Sequence, residues 1–450
     1  MVGTGNAKVT IAFDGWKEGG IASTHHEIPV VAPHSLHVKL ETVSPRLKGE
    51  LIHPNKTGSI SELKFTPDGK RILAADDPGM AAVWDVATGK QLTTIETGSR
   101  TFHVSPDGRT VFAAREKINQ ERVEQNGKSM FRCTFDGEAR AWNLEDGKLL
   151  RTYKHQCAKG IQSMHFSPDG TMFLTLDALS GTYERAIKFT TSLWDVKSGD
   201  CRTLAGLNSY GFFSPDGKSV AASFRNEDGY SQGLKLIDVA TGREKWSTPT
   251  AEKNALLSIG SFSPDGRLLF GEERIFDRPM RSSWRSWMKW WDVDTGRMVA
   301  SFEGDKDDLF NDYCSSPDGQ TLGVLNLRGA KRKLVLYSIP EKRLLRTVLL
   351  CEKTEGFLPI ASRPVFSPDG KWLVVITRSV PEKSVGGNLD PRDLPQPRIL
   401  LIETATGTIR ETMIAPQALA NAACFSPDGR TLATGGPGRV LLWDMTKMPQ

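Results

Sequence analysis

Phe425-Ser426-Pro427-Asp428-Gly429 stands fourteen residues ahead of Trp443-Asp444, and this pair of phrases is written eight times in the chain. The first phrase opens as Thr66-Pro67-Asp68-Gly69. It recurs as Ser-Pro-Asp-Gly from Ser105, Ser167, Ser214, Ser263, Ser316, Ser367 and Ser426. The second phrase falls on Trp84-Asp85, Trp142-Asn143, Trp194-Asp195, Ile237-Asp238, Trp291-Asp292, Tyr337-Ser338, Ile402-Glu403 and Trp443-Asp444. Repetition at a steady period settles the architecture before any local pattern does.

One repeat is turn chemistry set between short apolar runs. In Ser-Pro-Asp-Gly the proline presets φ, the aspartate bonds nearby backbone amides, and the glycine takes the left-handed conformation. Leu63-Lys64-Phe65 precedes the first turn and Ile72-Leu73-Ala74-Ala75 follows it, the pattern of strands in a meander. Ala82-Val83-Trp84-Asp85 reads as a third strand. A second turn, Ala87-Thr88-Gly89-Lys90, leads to a fourth, Gln91-Leu92-Thr93-Thr94-Ile95. Four short antiparallel strands per unit, repeated radially, make a propeller blade.

On these motifs residues 46–450 resemble the WD-repeat β-propeller family, its bacterial members especially, through Phe-Ser-Pro-Asp-Gly followed by Trp-Asp-Val-x-Thr-Gly. The family's Gly-His ahead of the first strand is absent. The resemblance implies a buried His, Ser/Thr, Asp and Trp hydrogen-bond set, complete only in repeat 3 as His155, Thr175, Asp177 and Trp194. It also implies an all-β, eight-bladed propeller and a protein-interaction role.

Two features at the ends bear on closure. Arg46-Leu47-Lys48-Gly49-Glu50-Leu51-Ile52 reads as a fourth strand with no blade of its own, while repeat 8 has only six residues after Trp443-Asp444. The sequence therefore predicts that residues 46–52 pair beside Val440–Trp443 and close the ring, which removes an exposed sheet edge. Residues 1–45 form an extension, or the tail of a preceding domain. His25, His26, His34 and His37 lie there without metal-ligand spacing, and read as part of a polar linker.

Apolar residues make up 38% of the 450, with 42 glycines, an ordinary globular balance. No apolar run is long enough to span a membrane. Residues 1–20 hold no signal-type apolar core, which favours the cytoplasm for the chain as given; export is the alternative if an upstream segment exists. A net charge of +5 falls short of a dedicated nucleic-acid domain. Cys133, Cys157, Cys201, Cys314, Cys351 and Cys424 contain no Cys-x-x-Cys and read as reduced core thiols.

The turns recur about every 51 residues, against about 40–45 for the family. The surplus lies between second and third strands: 115–132 (helix-like over Glu116 to Gln125), 178–190, 225–233, 272–287 and 378–398. By family geometry these insertions share one face with the links between blades, and such faces dock partners. The eight loops carry a net +7, more than the whole chain. The most pointed cluster is Arg278, Arg281, Trp284, Arg285 and Trp287 in repeat 5, with Arg328, Lys331, Arg332 and Lys333 in repeat 6. Tryptophan and arginine are the residues most enriched at binding hot spots. The competing reading is that both tryptophans cap the blade's own core, with arginine stacked on tryptophan.

The sequence thus predicts a non-enzymatic scaffold, monomeric, without cofactor or metal, docking a protein or peptide of acidic character on one face. No hydrolase domain with a nucleophile elbow is expected beside the propeller. The alternatives are two. One is a propeller enzyme of lactonase or quinoprotein type, its site among channel-mouth residues such as Asn208, Asn311, Asp312, Arg363 and Asn421. The other is a sensor or anchoring module of a longer protein.

Overall fold

A computed structural model describes residues 44–99, 101–125, 128–154, 160–182, 185–225, 231–250, 252, 255–276, 284–305, 308–327, 331–355, 357–381, 396–415 and 421–448. The chain divides into two compact units, Met1–Thr42 and Val43–Gln450. The first, with its four histidines, lies outside the described residues.

Val43–Gln450 is an eight-bladed β-propeller. Blade 1 shows the plan: Ile60–Phe65, Arg71–Asp76, Met80–Asp85 and Gln91–Glu96 pair antiparallel in sequence order. Its burial explains why these runs are strands. Ile72, Leu73, Ala74 and Ala75 are all buried, so both faces of the second strand are covered. The partners come from the neighbouring blades. The hydrophobic clusters lie one per junction, from Leu73, Ile95, Phe102 and Trp142 between blades 1 and 2 to Leu51, Trp84 and Val440 between blades 8 and 1. Among the described residues no blade owns a core of its own.

Blade 8 consists of Ala422–Phe425, Thr431–Gly436 and Arg439–Asp444, and Leu47–Ile52 completes it. Leu47 pairs with Trp443 and Leu51 with Val440, so the closing strand lies where the sequence placed it. Ion pairs flank the latch, Arg46 with Glu411 at 2.8 Å and Arg439 with Glu50 at 2.6 Å.

The eight Ser/Thr-Pro-Asp-Gly turns are alike in detail. In every one the hydroxyl donates to the aspartate at 2.5–2.6 Å. Every glycine has φ between 69° and 74°, where a side chain would be strained. The turns also nest around the ring. A Cβ on Gly69 would lie 3.4 Å from Cδ of Pro427, which brings the first turn against the eighth.

Two expectations need correction. Glu116 to Gln125 is not helical: Thr110–Gln125 and Lys128–Asn143 form one long hairpin, paired from Thr110–Asn143 to Gln125–Lys128. That hairpin pairs at Cys133–Gly181 and Arg132–Thr182 with the extended hairpin of blade 3, joining the two blades into one eight-stranded sheet. Glu, Lys, Gln and Arg favour a helix by propensity, and here cross-strand pairing along the hairpin overrides it. The second correction concerns the thiols. Cys314, Cys351 and Cys424 are partly buried and free, but Cys201 is exposed on an outer strand.

The buried set implied for repeat 3 is present in the part described. Trp194 Nε1 donates to Thr175 Oγ1 at 2.8 Å and Asp177 is fully buried, while His155 lies outside the described residues. Repeat 8 repeats the Trp–Thr half through Trp443 and Thr434 at 2.9 Å. Repeat 1 keeps the His–Asp half, with His53 Nδ1 3.9 Å from Asp76 Oδ2 and both side chains fully buried.

Candidate interaction surface

The third strand of blade 5, Trp284–Asp292, is longer than its six-residue counterpart in blade 1 and runs on toward the loop face. Alternation along a strand sends successive side chains to opposite faces. Met288 and Trp290 accordingly pack in the cluster shared with blade 6, and Trp291 in the cluster shared with blade 4.

Trp284 follows the first set. It is 4% exposed, and its Nε1 donates to the Asp308 carbonyl at 2.8 Å, so it pins the link between blades 5 and 6. It is therefore not available for direct docking, as the core-capping alternative had it. Arg285 and Trp287 follow the second set, on the side of the strand that Trp291 turns toward blade 4. Arg285 is exposed, with its guanidinium carbon 5.2 Å from the centre of the half-buried Trp287 ring.

The repeat 6 cations are mostly engaged. Lys331 pairs with Glu352 at 2.9 Å and Lys333 with Asp305 at 2.7 Å. The Asp305 hydrogen bond also raises the Lys333 ammonium above its ordinary value. Arg332 is half-buried, and burial lowers its guanidinium. Arg278, Arg281 and Arg328 lie outside the described residues. Of the nine expected residues, Arg285 and Trp287 are thus brought together as a displayed pair.

Beneath this surface sits a buried carboxyl. Glu272, 2% exposed, accepts from the Phe310 amide at 3.0 Å and meets Arg274 Nε at 3.0 Å. Burial outweighs those two stabilising partners and pushes the carboxyl up to about 7. The adjoining Glu273 is also buried and ion-paired with Lys289.

The channel-mouth candidates for an enzyme are distributed rather than assembled. Asn208 spends its amide on the Arg225 backbone at 2.8 and 2.9 Å, and Asn421 reaches Ser59 at 2.8 Å across blades 8 and 1. Asp312 has φ 50° and a carboxyl raised by burial, with Arg363 opposing the rise. Asn311 beside it is exposed. His103 and His165 face each other at 6.2 Å in the inner strands of blades 2 and 3, and burial lowers the His165 imidazole to about 4. Among the described residues no three His, Cys, Asp or Glu side chains converge as metal ligands.

One pentad, Gly229-Tyr230-Ser231-Gln232-Gly233, does carry the letters Gly-x-Ser-x-Gly. A nucleophile elbow is a strand-to-helix turn. Here Ser231 opens the third strand of blade 4, Ser231–Asp238, and pairs with Arg225, so the letters do not make an elbow.

The sequence reading missed a position. Counting eleven residues from the turn serine gives Arg225 in blade 4, Arg274 in blade 5 and Arg378 in blade 7, at the loop-face end of the second strand. Registering the repeats on their turns would have revealed it.

Comparison with known proteins follows the same repeats. A family model for the WD domain, G-beta repeat, matches residues 147–189 and 411–444. Each match begins in or just ahead of the fourth strand of one blade and ends in the third strand of the next, the stagger that a borrowed closing strand requires. Periodic tryptophan protein 2 of Arabidopsis thaliana is 23% identical over 305 residues, 63% of this chain and 29% of that protein. Apoptotic protease-activating factor 1 of Rattus norvegicus is 23% identical over 279 residues, 59% of this chain and 19% of that protein. Dipeptidyl-peptidase 5 of Porphyromonas gingivalis is 25% identical over 228 residues, 47% of this chain and 30% of that protein. The chain spans less than a third of each of these relatives.

Proposed function

We propose, from the premise that this chain is a WD-repeat β-propeller, that it works as a non-enzymatic scaffold whose loop face docks a protein partner around Arg285 and Trp287. At the coarse level the fold supports an interaction scaffold, since rigid blades hold long loops at fixed separations and lower the ordering cost of binding. The observation that carries the finer reading is the Arg285–Trp287 stack on a strand longer than its counterpart in blade 1. A flat aromatic ring beside a planar cation, on a rigid strand, suits a peptide backbone with an acidic side chain. No helix among the described residues is long and apolar enough to cross a membrane, and the partner is taken to be a protein.

The test is affinity capture by the wild type and by Arg285→Ala/Trp287→Ala. Loss of a hot-spot pair weakens binding by about 2 kcal/mol or more, roughly thirtyfold, so a genuine partner disappears from the variant. Equal recovery of every partner removes this pair as the docking site.

The peptidase match supports a second reading, a propeller serving beside a catalytic unit. Co-purification of a dipeptidyl-hydrolysing activity with the chain, retained when Ser231 is replaced by alanine, would favour it.

A further inference from the structure

The repeated position at the end of the second strand holds three arginines on one side of the ring. Other blades place Asp77, Glu116, Ala178, Leu327 and Pro437 there, so the blade itself does not require arginine. The strand pattern sends each arginine toward the next blade. Phe270 and Leu268, in step with Arg274, belong to the cluster shared with blade 6, and Val374 and Ile376, in step with Arg378, to the cluster shared with blade 8. The first strand lies alongside: Arg274 pairs with Leu256 and Arg378 with Ile360. All three positions are therefore at the inner, loop-face end of the ring.

Their charges are compensated unequally. Arg274 has Glu272 at 3.0 Å. Among the described residues neither Arg225 nor Arg378 has a carboxylate partner; Arg225 Nε is buried with no hydrogen bond, as Arg274 Nε is beside its ion-pair partner. Burial lowers both guanidinium groups, and the Arg274 charge adds to the effect at Arg225. A half-buried cation without a counter-charge is destabilising, and leucine or alanine at the same position, as in blades 6 and 3, avoids that cost.

We propose that Arg225, Arg274 and Arg378 form an anion site at the loop-face end of the ring, and that its ligand is an acidic peptide segment whose carboxylates complete Arg225 and Arg378. The proposal rests on the loop face being the docking side and goes further by naming the chemistry of what docks. Guanidinium matches carboxylate in paired hydrogen bonds. Arginines on blades 4, 5 and 7 call for a ligand whose charges are spread along its length, which an extended acidic peptide has and a single phosphate lacks.

The test uses a fluorescein-labelled hexaglutamate peptide and fluorescence polarisation. Wild type binds it, more weakly as NaCl is raised, and Arg225→Gln/Arg378→Gln binds about tenfold more weakly or worse. The charge-matched control Arg267→Gln/Lys371→Gln, on exposed side chains of the Ser-Pro-Asp-Gly turns, binds as wild type does. Because the double variant loses charge that no carboxylate among the described residues compensates, its melting temperature stays level or rises; a fall would give the arginines a structural role and overturn the site. No binding by wild type, or an equal loss in the control, overturns it too. Saturation by inorganic phosphate that hexaglutamate cannot displace overturns the peptide assignment. A failure of hexaglutamate leaves the Arg285–Trp287 capture result standing, and failure of that capture leaves this site standing.

Discussion

Trp246, on the outer strand of blade 4, lies across Gly296 in the turn of blade 5. Its Nε1 donates to the Val293 carbonyl at 2.6 Å, and a Cβ built on Gly296 would come 2.7 Å from its Cδ2. The glycine thus has two duties, a φ of 69° and room for the neighbouring blade. Gly319 has only the first, with φ 69° and nothing within 4 Å of a built Cβ. Gly319→Ala should cost about 1–2 kcal/mol for the backbone alone. Gly296→Ala should cost about 1–3 kcal/mol more, because the indole must move. Urea unfolding of the two variants separates the terms, and equal losses would show that Trp246 is not held by this turn.

Closure makes a second prediction. Leu51 is 3% exposed and packs with Trp84, Val440 and Leu442 in the cluster between blades 8 and 1. Leu51→Ala should cost about 2–4 kcal/mol. Ile52→Ala, at an adjacent residue that is 45% exposed, should change little. If both variants melt with the wild type, the latch contributes nothing to stability.

What could be read without coordinates was whatever the repeat writes eight times. The turns, the strand order and the borrowed strand at 47–52 all follow from register, and register is a one-dimensional property. The insertions were harder, because each occurs once. Glu116 to Gln125 could not be seen as strand, since its stability comes from pairing with residues 128–137 and, through them, with Gly181 and Thr182. At the candidate surface the residue types were legible but not their partners. Trp284 and Trp287 look alike in sequence, and only strand alternation plus the Asp308 carbonyl decides that one is buried and the other displayed. Arg378 drew no notice because its neighbours in sequence are unremarkable. Its meaning is positional.

Glu272 should make stability fall as pH rises. Its carboxyl is near 4.5 in the unfolded chain and pushed up to about 7 by burial, so the folded state favours the protonated form. The stabilisation is complete below about pH 4.5 and is lost as pH rises through about 7. Glu272→Gln keeps an oxygen for the Phe310 amide and removes the titration. Its unfolding free energy should therefore vary less than that of wild type between pH 5 and pH 8. An identical pH slope in the two proteins would show that Arg274 already keeps Glu272 ionised when folded.

The turn aspartates carry the opposite sign. Hydrogen bonds from the Thr66, Ser105, Ser167, Ser214 and Ser426 hydroxyls hold the carboxyls of Asp68, Asp107, Asp169, Asp216 and Asp428 below the ordinary range. Such groups stabilise the fold above their unfolded value near 3.8, and the contribution disappears as pH drops through the lower folded value. The carboxylates are largely solvated, so each effect is small, but these five lie in five different blades. Acid unfolding should consequently take up several protons at once. Ser214→Ala removes the donor to Asp216 at 2.6 Å and the acceptor for the Ser219 amide at 3.0 Å, at a cost of about 1 kcal/mol at neutral pH. Adding Ser426→Ala, four blades away, should double the loss and flatten the acid limb further, because distant sites add. Calorimetry between pH 2 and pH 7 tests both statements. A double variant as acid-sensitive as the wild type would mean that backbone amides alone set these carboxyls.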